Sequence, residues 1–164
     1  MKCKIKAVHW LALVPALSLV MAAGPALARQ DKLPPAGGQA FSDYIFKTDP
    51  YAKWPLWPGM KGMYQGKSPH GKYVQIFVNQ LALEAAKAGK PMPPGAIIIK
   101  ENYDDEKNLV ALTPMYKVKG YNPAGGDWYW TKLGPQGKVL AEGKLKGCLR
   151  CHEAVKSTDW VFTK

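Results

Sequence analysis

Residues 72–79, KYVQIFVN, alternate strictly, with Tyr73, Gln75 and Phe77 on one side and Val74, Ile76 and Val78 on the other. A two-residue period specifies an extended strand, and comparable runs recur down the chain. GAIIIKEN (95–102) reads as an isoleucine-rich second strand and LVALTPMYKV (109–118) as a third, in which Pro114 is tolerated only at an edge or a bulge. GDWYWTKLG (126–134) is a fourth, with Trp128 and Trp130 on one face, and GKVLAEGK (137–144) a short fifth. Between the first two, QLALEAAKAG reads as a helix closed by Gly89, with Leu81, Leu83, Ala85 and Ala86 as its apolar side. Strands joined by short turns predict an antiparallel sheet with helices confined to the front, one connection and the end, that is, an α+β, β-rich fold.

The front of the chain is less regular. AFSDYIFK (40–47) is a short helix, whereas proline and glycine break residues 48–71 repeatedly, so that Trp54 and Trp57 there read as packing anchors. Residues 1–28 join a basic start, MKCKIK, to an apolar run ending in ALA, the pattern of a cleaved secretory signal. Pro15, Gly24 and Pro25 interrupt that run, which is already short for a membrane span, so no stable anchor is expected. Residues 29–38, RQDKLPPAGG, have the composition of a flexible segment, leaving 39–164 as a single domain. Without the leader's three lysines the 23 basic residues become 20 against 12 acidic, a net charge of +8. The lysines are scattered singly rather than gathered in a run, and an exported chain has no nucleic acid to meet; a solvated basic surface is the plain reading.

Two cysteines remain after the leader, in KGCLRCHEAV (146–155). A C-x-x-C pair in an exported protein can be a disulfide, a thioredoxin-type redox pair or half of a zinc site. The redox motif belongs at a helix start within a strand–helix–strand pattern, which a pair so near the C-terminus does not offer. Zinc needs four ligands, and the two histidines left outside the leader are His70 and His152, the second adjacent to Cys151. The reading that employs every residue is C-x-x-C-H, the attachment site of one c-type haem. Cys148 and Cys151 would form thioethers to the porphyrin, and His152 would be the proximal ligand of the iron. Such attachment takes place outside the bacterial cytoplasm, so the expected location is the periplasm.

This architecture excludes the commonest c-type folds. Small all-helical cytochromes carry the motif near the N-terminus with a later methionine ligand, and no methionine follows His152. A four-helix bundle cannot absorb fifteen glycines and twelve prolines after the leader together with several alternating strands. A β-rich single-haem cytochrome is left, with the haem motif on a C-terminal helix.

From about Lys72 to the end the chain resembles the cytochrome P-460 and cytochrome c-prime-beta family. The matching parts are YVQIFVN, the helix leading to GAIIIKE, the NPAGGDWYW turn and strand, and above all CLRCHEAVKSTDWVFT. The resemblance implies an antiparallel sheet with packed helices, a homodimer and a pentacoordinate haem. In the P-460 branch the lysine of the corresponding strand ending is bonded to a meso carbon of the porphyrin, which the resemblance carries to Lys100. The ordinary reading of Lys100 is a solvated strand-end lysine. It nevertheless shares a face with Ala96 and Ile98 in a run buried on both sides, where a neutral amine could act as a nucleophile. P-460 enzymes that oxidise hydroxylamine also use a distal carboxylate, but LVALTPMYKV holds no Asp or Glu, and the matching position falls near Thr113 or Met115. The c-prime-beta branch closes its distal side with phenylalanines, for which Phe46 and Phe77 are available.

Three functions follow as expectations. One is binding of NO or CO at an open iron; another is oxidation of hydroxylamine or nitric oxide, with electrons leaving to a partner cytochrome. The third is plain electron transfer with a sixth protein ligand drawn from Met60, Met63, Met92, Met115 or His70. Met115 is the best placed of these, whereas His70 in SPHGK reads as a turn histidine.

Overall fold

The computed structural model describes residues 33–162. The leader read at 1–28 and residues 29–32 of the N-terminal segment lie outside the described residues, as do Thr163 and Lys164. Helix α1 (Gly38–Asp43) widens into a π-turn over Tyr44–Thr48. The chain then runs through β1 (Tyr64–Gln65), β2 (Tyr73–Val78), α2 (Gln80–Lys87), β3 (Ile97–Tyr103) and β4 (Leu109–Lys117). It ends in β5 (Trp128–Leu133), β6 (Val139–Gly143) and α3 (Lys146–His152), with a 3-10 continuation over Glu153–Thr158. The six strands form one antiparallel sheet in the order β1-β2-β3-β4-β5-β6. The expected five strands are present, and the proline-rich front adds the two-residue β1, which pairs Tyr64 with Val74.

Alternation divides the sheet into two buried faces. One gathers Ile76, Val78, Ala96, Ile98, Met115, Trp128 and Trp130 against α2, α3 and the C-terminal Trp160. Within α2 the fully covered positions are Ala82 and Ala85, while Leu81, Leu83 and Ala86 pack at the margin. The other face gathers Phe77, Ile97, Ile99, Leu112, Tyr129 and Leu133 under α1. There Phe41 stacks on Tyr116 at 5.4 Å and meets Tyr129 edge-on at 5.9 Å. Trp57 and Trp54 anchor the front to opposite faces, Trp57 to the first and Trp54 to the second. Pro34, ahead of α1, is buried, and its carbonyl accepts from the Tyr116 hydroxyl at 2.8 Å.

Pro114 corrects the sequence reading. It lies inside β4, with β3 on one side and β5 on the other, opposite Ile99. Pairing with β5 passes from Leu112↔Leu133 to Met115↔Trp130, skipping the intervening residues. The missing N–H is thus turned toward β5, and the ladder is simply interrupted there; the facing Thr131 hydroxyl is buried without a partner among the described residues.

Asn79 fastens the crossover from β2 to β3. Its side chain accepts from Ala82 N at 3.1 Å as the cap of α2 and from Ile97 N at 3.0 Å, and it donates to Gly95 O at 2.8 Å. Asn79→Ala removes a cap and two further buried hydrogen bonds at once. We expect it to cost about 2–4 kcal/mol. A urea midpoint unchanged from the parent protein would refute that role.

Candidate haem site

Helix α3 presents the two thiols from one face, because residues three apart are neighbours on a helix. Cys148 is half-buried against the tryptophan-rich core and Cys151 is exposed; both are free thiols. Burial pushes the Cys148 thiol pKa up. His152 follows directly and is buried at 8% exposure.

The His152 ring is fixed from behind. Its Nδ1 lies 2.7 Å from the carbonyl oxygen of Trp160. A carbonyl only accepts, so Nδ1 carries the hydrogen and Nε2 keeps a lone pair. That carbonyl is placed by a turn in which Asp159 and Trp160 take left-handed conformations, φ 56° and 67°. The turn is held by the Lys117–Asp159 ion pair at 2.5 Å, by Met92 N donating to Asp159 Oδ2 at 2.8 Å, and by Trp128 Nε1 donating to Asp159 O at 2.9 Å. Burial lowers the His152 pKa, opposed by its bond to Trp160. Around the imidazole stand Trp130 at 4.6 Å and Phe162 at 5.0 Å between ring centres. Trp130 Nε1 is buried with no hydrogen-bond partner among the described residues.

Strands β2 to β4 supply the facing wall. Lys100 sits between Ile76 and Thr113 on the same side of the sheet as Ile98. It is partly buried rather than solvated, burial lowers its pKa, and among the described residues its amine has no ion-pair or hydrogen-bond partner. His70 is in a turn, as read from SPHGK, but the turn aims it inward. Its Nδ1 is 3.0 Å from Asn102 Oδ1, and its ring centre is 6.5 Å from that of His152. Desolvation lowers its pKa to about 4, helped by the Lys100 charge and opposed by Asn102, so the imidazole is neutral at neutral pH.

Other candidates go elsewhere. Phe46 and Phe77 belong to the opposite core, each against Tyr51 at 5.5 Å, and so cannot cap the His152 side. Met92 and Met115 are buried among the apolar residues of the His152 face, Met60 packs at its margin, and Met63 is exposed. Of the two positions expected to match the distal carboxylate, Thr113 pairs with Lys100 and has its hydroxyl 3.5 Å from His70 Nδ1, while Met115 is buried opposite Ile98. Sequence reading missed Asn102, Trp160 and Phe162. Only Trp160 and Phe162 lay in a motif already singled out, DWVFT.

The donor set fits a covalently held haem: two unpaired thiols a helical turn apart, and an imidazole whose Nδ1 is occupied and whose Nε2 is free. The orphan indole N–H of Trp130 beside it is what remains where a polar partner is not supplied by the polypeptide. Among the described residues no three His, Cys, Asp or Glu side chains converge as a metal cluster, so the zinc alternative has no ligand set there. The family model for cytochrome P460 matches residues 50–163. The chain belongs to the cytochrome P460 family. This cytochrome is accordingly a mono-haem c-type cytochrome, with haem c and its iron as cofactor. Among curated proteins a search finds no match.

Proposed function

We propose that Cys148 and Cys151 carry the thioethers of the single haem, that His152 is its proximal ligand, and that the protein binds or oxidises small nitrogen oxides, NO or hydroxylamine. The observation that carries the reading is the buried His152 with Nδ1 held by the Trp160 carbonyl, which orients Nε2 and raises its basicity as a ligand. The haem iron, when bound, supplies one-electron chemistry and affinity for nitrogen oxides. The polypeptide supplies orientation by the Lys117–Asp159 clamp and a largely apolar wall of Ile76, Ile98, Met115 and Trp130. Lys100, partly buried and unpaired, is the amine suited to bond the porphyrin, and its lowered pKa favours the neutral form. A bond from its nitrogen to a meso carbon would replace one N–H and one C–H, with the two protons and two electrons passing to an external two-electron oxidant of the peroxide class. In this reading the cytochrome works in the periplasm as a homodimer and passes electrons to a partner cytochrome when it turns over.

Optical spectra of the purified holoprotein, with NO and with hydroxylamine, test this. NO should shift the Soret band, and hydroxylamine should be consumed with reduction of an added acceptor if the enzyme branch holds. Insensitivity of the spectrum to both compounds would remove nitrogen oxides as ligands. A broad, red-shifted ferrous Soret band that becomes ordinary in Lys100→Ala is the expected mark of the crosslink, and identical spectra for the two proteins would exclude it.

A further inference from the structure

His70 is the imidazole at this site that the proposed function leaves without a task. Its protonation is fixed by its neighbour. Asn102 Nδ2 lies 3.1 Å from the carbonyl oxygens of Lys100 and Ala111, which can only accept, so the amide oxygen is the atom that faces His70. An amide oxygen accepts as well; the hydrogen in the 3.0 Å contact therefore sits on His70 Nδ1, and Nε2 carries a lone pair. His152 is in the same state, with Nδ1 donating to Trp160. Two neutral imidazoles thus stand together, each anchored through Nδ1 to a fixed acceptor and each with Nε2 uncommitted among the described residues.

Their spacing separates two roles. Imidazoles on opposite sides of one metal, each at about 2.0–2.1 Å, hold their ring centres roughly 6 Å apart. A histidine that merely hydrogen-bonds to a molecule already on the metal stands a further roughly 2–3 Å away. The observed separation is 6.5 Å, with the ring planes at 90°. We propose that His70 Nε2 is the second axial ligand of the iron held by His152, and that a nitrogen oxide reaches the metal only by displacing it. Coordination uses the Nε2 lone pair to form one iron–nitrogen bond; no proton moves and no oxidation state changes. The inference rests on the haem assignment above and deepens it, since the family resemblance implies a five-coordinate iron and this chain adds a removable sixth ligand.

The loop is built to place that ring. Gly66 N donates to Lys72 O at 2.8 Å and His70 N to Lys67 O at 3.0 Å, closing residues 66–72 into a tight turn. Gly71 N reaches Asn102 Oδ1 at 3.3 Å, and a Cβ on Gly71 would collide with the Tyr103 backbone, so the turn rests directly on the end of β3. The ring is carried by a loop and met at Nδ1 by Asn102 at 3.0 Å and by the Thr113 hydroxyl at 3.5 Å, so displacing it breaks side-chain contacts and no hydrogen bond of the strand ladder.

The test compares wild-type holoprotein with His70→Asn, which keeps a donor for Asn102 and removes the Nε2 ligand, and with His70→Ala. Wild type should show low-spin optical and electron paramagnetic resonance spectra. Both variants should turn high-spin, added imidazole should restore the low-spin spectrum of His70→Ala, and CO should bind the variants at least tenfold faster. Restoration by imidazole also shows that the variant has folded around its haem. A high-spin wild type, or low-spin spectra persisting in both variants, would overturn the proposal, and so would a wild type that holds no haem. NO and hydroxylamine titrations keep the two readings apart: a high-spin His70→Asn that responds to neither compound leaves the axial assignment standing and removes the nitrogen-oxide function.

Discussion

Replacing Cys148 and Cys151 together by alanine is expected to convert a cofactor that survives acid acetone into one that is extracted completely. On the proposed assignment the two thioethers are the covalent tethers that α3 provides, so the effect is all or none unless Lys100 is also bonded to the porphyrin. Triple replacement with Lys100→Ala separates these cases. Full extraction from the double variant excludes the lysine bond, and retention in the double but not the triple variant establishes it. Retention in the triple variant would sink thioether attachment. The single His152→Ala change should act differently, leaving the haem attached but abolishing the normal iron spectrum, because Nε2 is the atom lost while both thiols remain.

The second large effect concerns stability. Gly126 in the NPAGG turn has φ +66°, and a Cβ there would lie 2.5 Å from the indole of Trp160 and 3.2 Å from that of Trp128. An alanine must adopt a left-handed conformation at about 1–2 kcal/mol and push a rigid indole aside at about 1–3 kcal/mol. Gly126→Ala should therefore lose roughly 2–5 kcal/mol in urea unfolding. Gly120→Ala is the control, since Gly120 has φ +75° with nothing within 4 Å and carries only the backbone strain. Equal losses for the two variants would show that the Trp160 contact does not matter. Because the Trp160 carbonyl holds His152, Gly126→Ala should also perturb the iron spectrum, which Gly120→Ala should not.

Much of the fold was legible because its code is local. The alternation of β2 assigns Ile76 and Val78 to one core and Phe77 to the other, as the structure has it, and the run through Ala96–Lys100 divides in the same way. Pro114 was misread because propensity treats strand interiors as closed to proline, whereas a ladder can be interrupted on one side while its other partner is kept. Composition likewise made Phe46 and Phe77 available as a distal cap. Face assignment, which depends on which side of the sheet α1 covers, removed them.

The sequence by itself determined the antiparallel β-rich fold, the two thiols and histidine on one short helix, and Lys100 on a strand buried on both sides. All of these follow from spacing within a few residues, where helix and strand periods fix direction. Only the tertiary structure decided what surrounds them. His70 is 32 residues from the Asn102 that aims it, and the Asp159 that steadies the Trp160 carbonyl is paired with Lys117, 42 residues away. A loop side chain has no period to reveal its direction; that is set by the distant acceptor it meets when the sheet closes.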